Sequence, residues 1–219
     1  MTTEGYAAVV LAGGAARRMG GLHKPGLPVG GVPLLYRVLA AVPDAVPRVV
    51  VGPRQPVPTD VLITREEPPG SGPVAATAAG IRLITGEGPG ASEESGCRSS
   101  HAPYVALLAA DLPFVTSQAV ERLRRVAATP GVDGAVYVDD TGQRQLLCGV
   151  WRTESLRSAL ARFETHAGVS MRRLTADLRV VEVVWVQPDP IGGSRDTAAP
   201  PWYDCDTRED LRRAEERST

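Results

Sequence analysis

The chain has 219 residues, 43% of them hydrophobic, and a formal net charge of -1 at pH 7. That length fits one large α/β domain or two small ones, with enough apolar content for a substantial core. The near-neutral charge gives no basic field for nucleic acid or anionic membrane, no apolar run reaches the ~18 residues needed to span a bilayer, and the opening residues lack a basic export leader.

Tyr6 to Leu11 is a compact apolar run and predicts a buried strand. It delivers a glycine-rich segment, Leu11 to Lys24, reading LAGGAARRMGGLHK. Leu34 to Val42 predicts the first helix, stopped near Pro43. Short strands are expected at Arg48 to Val51, ending at Gly52-Pro53, and at Val61 to Thr64, ending near Glu66-Glu67. Ser71 to Ile84 reads as a small-residue helix with Pro73 in its first turn and an alanine-rich face for close packing. Gly86 to Ser100 is rich in Gly and Ser, lacks large apolar residues and is expected to be a flexible surface insertion.

Tyr104 to Ala110 is the most continuously apolar strand and is expected at the centre of the sheet, with Asp111 at its end. Gln118 to Ala128 predicts a helix. Ala135 to Val138 and Leu146 to Trp151 predict strands around an Asp139-Asp140-Thr141-Gly142 turn, the second strand antiparallel to a neighbour. Helices are expected at Leu156 to Phe163 and, capped by Ser170, at Ser170 to Leu178. Val180 to Val186 is the last strand, and Gln187 to Pro201 is irregular. Thr207 caps a terminal helix to Glu216, with Asp210 closing a capping box. The alternation of strands and helices predicts a three-layer, Rossmann-like α/β fold. Its sheet would be mostly parallel, with helices on both faces and a small antiparallel portion in the second half. With no strong linker, residues 1–219 are read as one domain. No heptad pattern supports a coiled coil, and a monomer is expected.

Cysteines stand at 97, 148 and 205 without metal-ligand spacing, and their odd number points to a reducing cytoplasm. His23, His101 and His166 make no zinc pattern. Lys24 is the only lysine, the other 23 members of the Lys+Arg class being arginine. A compact ammonium on a flexible stem is retained where the chain otherwise uses a guanidinium fork. Gly13, Gly14, Arg17, Arg18, Gly20, Gly21 and Lys24 match neither GxGxxG nor the Walker A loop. Their chemistry is that of a phosphate cradle, with backbone N–H groups and cations facing phosphate oxygens. Leu11 and Ala12 bring the strand into that loop. In open α/β sheets ligands lie beyond the carboxyl ends of the strands, where Gly13, Glu66-Glu67 and Asp111 fall together. Asp111 suits Mg2+, which takes one or two carboxylates plus phosphates. Asp204 and Asp206 share one face of an extended segment and either would complete the metal site. Gly72 and Pro73 allow close approach of a flat base. Arg144, Gln145, Arg172 and Arg173 are weaker candidates for an anionic second substrate.

These motifs resemble the nucleotidyltransferase family of molybdenum cofactor guanylyltransferases. The LAGG opening with Arg18-Met19-Gly20 and Lys24, the Gly72-Pro73-Val74-Ala75-Ala76 stretch, Asp111-Leu112-Pro113, and Asp204 to Leu211 all resemble family segments in order and spacing. His23 replaces an acid, Ala76 a glycine and Arg208 a proline. The resemblance implies transfer of GMP from GTP to the phosphate of molybdenum-loaded molybdopterin, with Mg2+ and release of pyrophosphate. It implies catalytic roles for Lys24, Arg18 and Asp111, nucleotide contacts from Leu11 to Lys24 and at Gly72-Pro73, and metal ligation by Asp111 with Asp206 or Asp204. Residues 1–130 would mainly bind nucleotide and 131–206 the acceptor. No nucleic acid or membrane partner is implied, and contact with molybdoenzyme-maturation proteins would be transient. From the residues alone, a related enzyme using CTP or another phosphorylated acceptor stays open, as does a non-catalytic nucleotide-binding module. Lys24 with Asp111 argues against the last.

Overall fold

A computed structural model describes residues 4–13, 24–87, 102–186 and 199–218. Its elements run β1 Tyr6–Leu11, β2 Pro28–Val29, β3 Val32–Pro33, α1 Leu34–Ala40, β4 Arg48–Val51, β5 Val61–Thr64, α2 Pro73–Thr85, β6 Tyr104–Ala109, α3 Ser117–Ala127, β7 Gly134–Val138, β8 Arg144–Arg152, α4 Thr153–Leu160, α5 Met171–Leu174, β9 Val180–Val184 and α6 Arg208–Ser218. The main sheet has seven strands in the order β5-β4-β1-β6-β8-β7-β9. Only β8 runs against the others, pairing antiparallel with both β6 and β7. The carboxyl ends of β5, β4, β1, β6, β7 and β9 therefore share one edge, and the β7–β8 turn opens onto it.

The sheet separates two apolar layers because successive strand residues point to opposite faces. In β1, Ala8 and Val10 join Leu35, Val38 and Leu39 of α1 and Val120 and Leu123 of α3. Ala7, Val9 and Leu11 join Val74, Ile81 and Ile84 of α2, with Leu156 of α4 and Leu174 of α5. A smaller cluster, built from Val29, Leu34, Phe114, Cys205 and Ala214, seats α6 against the short β2–β3 hairpin. The three-layer, largely parallel architecture is as the sequence predicts. Among the described residues no helix is long and apolar enough to cross a membrane.

Two details depart from the sequence expectation. The β2–β3 hairpin stands where no strand is expected, although Gly30-Gly31 between Val29 and Val32 signals it. Both glycines have positive φ, 57° and 74°, as a tight two-residue hairpin turn demands. Helix α5 stops at Leu174 instead of running to Leu178: Thr175 leaves helical geometry at φ -97° and ψ 5°, with its N–H and hydroxyl both donating to the Met171 carbonyl at 3.0 and 2.9 Å. The caps behave as expected. Ser170 accepts from the Arg173 N–H at 3.2 Å, and Thr207 and Asp210 bond reciprocally at 2.8 and 3.1 Å. The Gly86 to Ser100 insertion lies outside the described residues from residue 88 onward, as does 187–198.

Helix α2 lies so close to the sheet that a Cβ at Gly80 would stand 2.6 Å from one Val9 methyl and 3.2 Å from a Val51 methyl. β-Branched valines cannot swing away from it. Gly80→Val is expected to destabilise the fold by about 1–3 kcal/mol, read as a lower urea midpoint at unchanged slope. An unchanged midpoint would show that α2 does not pack at this distance.

Candidate active site

The site begins where β1, β4, β5 and β6 end. The Ala12 N–H donates to the Val51 carbonyl at 2.8 Å, Ala110 N–H to Leu11 at 3.0 Å, and Gly52 N–H to Thr64 at 2.9 Å. These bonds hold the entry to the glycine-rich loop rigidly over the strand ends. Gly52 is essential to that closeness: a Cβ there would lie 2.8 Å from the Ala12 carbonyl carbon and 3.0 Å from the Gly13 nitrogen. From the sequence alone Gly52 marks only the end of a strand. Gly14, Arg17, Arg18, Gly20, Gly21 and His23 lie outside the described residues.

Lys24 opens a single 3-10 turn, Lys24–Gly26, directly before the β2–β3 hairpin. Its Nζ donates to Asp111 Oδ2 at 2.5 Å and to Asp206 Oδ1 at 2.7 Å. Asp111 follows β6. The Cys205 N–H donates to its carbonyl at 3.2 Å, which draws the C-terminal segment to this point. Lys24 and Asp111 side chains are 17% and 21% exposed, and Asp206 is 51% exposed, so solvent screens the second pair more than the first. Burial disfavours the Lys24 ammonium, but the carboxylates of Asp111 and Asp206 outweigh it and hold its pKa above that of free lysine. Asp204 stays at electrostatic range. Its pKa is raised by burial and then by the like charges of Asp206 and Asp111. Of the two acids that the sequence left open, Asp206 is the one that reaches Lys24.

The donor set around Asp111 is oxygen only, which suits a hard divalent cation. Asp111 Oδ1 is buried without a hydrogen-bond partner, so one carboxylate oxygen remains for such an ion. Among the described residues no three His, Cys, Asp or Glu side chains form a group that could hold a metal. An ion bound through one or two of these carboxylates would take its remaining ligands from phosphates and water, as Mg2+ commonly does.

On the other side of Gly13, Glu66 and Glu67 have opposite fates. Glu67 is exposed, whereas Glu66 is 6% exposed. Its Oε1 accepts from Gly70 N–H at 2.9 Å, and its Oε2 is buried with no partner. A Cβ on Gly13 would lie 3.6 and 3.8 Å from the two carboxylate oxygens, so Glu66 faces the loop entry. Gly72, at φ 99°, turns the chain into Pro73, the first residue of α2. Thus Gly13, Gly52, Glu66 and Gly72-Pro73 line one stretch of the carboxyl edge.

The second half adds a tight turn on the same edge. Asp139 accepts from the N–H groups of Thr141 and Gln143, both at 2.9 Å, and from Gln145 Nε2 at 2.8 Å. Arg144 pairs with Glu182 at 2.7 Å, and the Arg173 guanidinium lies over the Phe163 ring. Arg172 donates to the neutral Gln143 side chain at 3.1 Å. His166 meets the Leu160 carbonyl and is structural.

Residues 8–183 match the family model described as the MobA-like NTP transferase domain. A protein named probable molybdenum cofactor guanylyltransferase from Mycobacterium tuberculosis (strain ATCC 25618 / H37Rv) is 34% identical over 80% of this chain and 79% of its own. The molybdenum cofactor guanylyltransferase of Bradyrhizobium sp. (strain ORS 278) is 30% identical over 98% and 93%. In fold, the chain is similar to molybdopterin-guanine dinucleotide biosynthesis protein A from Archaeoglobus fulgidus, with a TM-score of 0.66, 20% identity and coverage of 96% and 97%. It is also similar to 2-C-methyl-D-erythritol 4-phosphate cytidylyltransferase from Thermus thermophilus, with a TM-score of 0.61, 20% identity and coverage of 98% of both chains. With the family model spanning the sheet from β1 to β9, the chain belongs to the MobA-like NTP transferase family.

Proposed function

We infer that this nucleotidyltransferase moves GMP from GTP to the terminal phosphate of molybdenum-loaded molybdopterin and releases pyrophosphate. The observation that carries the reading is the Lys24 ammonium held between Asp111 and Asp206 beside the Gly13 loop entry. A cation and carboxylate oxygens thus stand at the edge where nucleotides bind in open α/β sheets, which supports a metal-assisted nucleotide site. The relatives named guanylyltransferases support guanine and molybdopterin as the substrates.

In this reaction an acceptor phosphate oxygen attacks the α-phosphorus of GTP. The new P–O bond forms as the bond to the β-phosphate oxygen breaks, and pyrophosphate leaves with that electron pair. The attacking oxygen is already anionic, so no strong general base is required. Lys24, with Arg17 or Arg18 from the loop, neutralises charge on the phosphates. Asp111 would hold Mg2+, with Asp206 or Asp204 as further ligand. When bound, the metal supplies charge neutralisation at the phosphates. Leu11 to Gly14, Gly20, Gly72 and Pro73 cradle the nucleotide. Glu66 presents its unpartnered oxygen to the N–H edge of guanine. Within one domain, residues 1–130 serve mainly the nucleotide and 131–206 mainly the acceptor, with Arg172 on the acceptor side. The partners are small molecules met in the cytoplasm, with transient contact to molybdoenzyme-maturation proteins.

Lys24→Ala is expected to cut turnover by about 100-fold or more; near-normal pyrophosphate release in this variant would reject its role. Glu66→Gln is expected to erase the preference for GTP over ITP, which lacks the 2-amino donor and should otherwise be used about 10- to 100-fold less well. Gly52→Ala, by pushing the Ala12-Gly13 backbone off its place, should raise the KM for GTP by about tenfold or more. The deciding experiment incubates the chain with Mg2+, molybdopterin and each of the four nucleoside triphosphates, reading pyrophosphate and product mass. The guanylylated product with GTP is expected. A product with CTP and none with GTP would overturn the assignment.

A further inference from the structure

The charged group at the edge is assembled from chain segments that make no common strand. Lys24 precedes β2, Asp111 follows β6, and Asp206 precedes α6. Each of these segments, or the element it leads into, is bonded to one side chain, Arg37 of α1. Its Nε donates to the Val29 carbonyl of β2 at 2.8 Å. Its Nη1 donates to the Pro113 carbonyl, two positions past Asp111, at 3.3 Å. Its Nη2 donates to the Ser218 hydroxyl of α6 at 3.4 Å. Gly30 makes the approach possible, since a Cβ there would lie 2.7 Å from Nη2. Among the described residues these acceptors are all neutral, so the guanidinium acts here through geometry and not as one half of an ion pair.

We propose that Arg37 is a positioning residue: its guanidinium sets the relative placement of the segments that present Lys24, Asp111 and Asp206. A planar fork with fixed donor directions suits this task, whereas one ammonium on a flexible stem does not reproduce it. The three charged atoms need close registry, because displacements near 1 Å at a reacting centre cost up to about 100-fold in rate. The bonds described at Gly13, Gly52, Glu66 and Gly72 do not involve Arg37, so base binding should be insensitive to its loss. The catalytic part of this inference rests on the nucleotidyl-transfer reading; the positional part does not.

Lys24 is the only lysine of the chain, so selective 15N-lysine labelling gives a single side-chain Nζ resonance that reports its carboxylate partners. The test compares wild type, Arg37→Met and Arg37→Gln, neither of which adds a second lysine, each well below its melting temperature. In both variants the Lys24 resonance is expected to move toward that of free lysine. Turnover with GTP and molybdopterin is expected to fall by about 10- to 100-fold, with the KM for GTP within about threefold of wild type. A lowered melting temperature with wild-type resonance and turnover would overturn the proposal and leave Arg37 a stabilising residue. If Arg37→Met fails to fold, Arg37→Gln decides alone: wild-type resonance in that variant also overturns it. Absence of turnover in the wild type would overturn the functional reading, and the resonance would still decide the role of Arg37.

Discussion

The ammonium of Lys24 between Asp111 and Asp206 is the interaction on which the edge of this molecule depends. Asp111, Asp206 and Asp204 gather negative charge at one place, and the pKa of Asp204 is raised first by burial and then by that repulsion. Lys24 offsets that repulsion from within the chain. The Lys24–Asp111 contact is the more sheltered of the two, so it is screened less and fixes position more firmly. With those charges balanced, the turn before β2, the end of β6 and the approach to α6 can lie together.

Around this charged centre the rest of the edge is built mainly from backbone. Gly52 permits one strand end to touch another's loop, and Gly72 permits a sharp entry into α2. Glu66 is the exception, a buried carboxylate with one oxygen left unpaired. Such a group costs free energy unless something meets it, and its orientation toward Gly13 directs that need to the loop entry. The single antiparallel strand matters for the second half: by reversing at the Asp139 turn, the chain brings Gln143 and Gln145 to the same edge without a crossover helix between β7 and β8, where Gln143 meets Arg172 of α5.

Much of this was legible in the sequence because it rests on local signals. Apolar runs marked β1, β4, β6 and β8, and Thr207 with Asp210 marked the start of α6. Lys24 stood out by composition alone, and Asp111 by its place after the most apolar strand. What was not legible depends on approach between distant segments. The i,i+2 spacing of Asp204 and Asp206 puts both on one face, and that Asp206 is the one to meet Lys24 shows only once the segment lies against Asp111. Glu66 and Glu67 are alike in sequence, and only the path after β5 buries the first. Arg37 reads as an ordinary helix arginine until the hairpin, the Asp111 loop and α6 close around it. The β2–β3 hairpin carried its Gly-Gly signal, but its strands are two residues each and too short for a periodic pattern.

The separation of Lys24 and Asp206 by 182 positions has a consequence for how the molecule comes into being on the ribosome. Synthesis runs from the amino end, so β1, β4 and β6 can pair while later codons are still being read. The Gly13 side of the edge is thus available early. The charged centre closes only when the last segment emerges and α6 settles on the hairpin. A chain interrupted before residue 204 would keep every strand of the sheet but lack both C-terminal acids. Its Lys24 would then face Asp111 alone, and translation itself thereby sets the order in which the parts of the site come into existence.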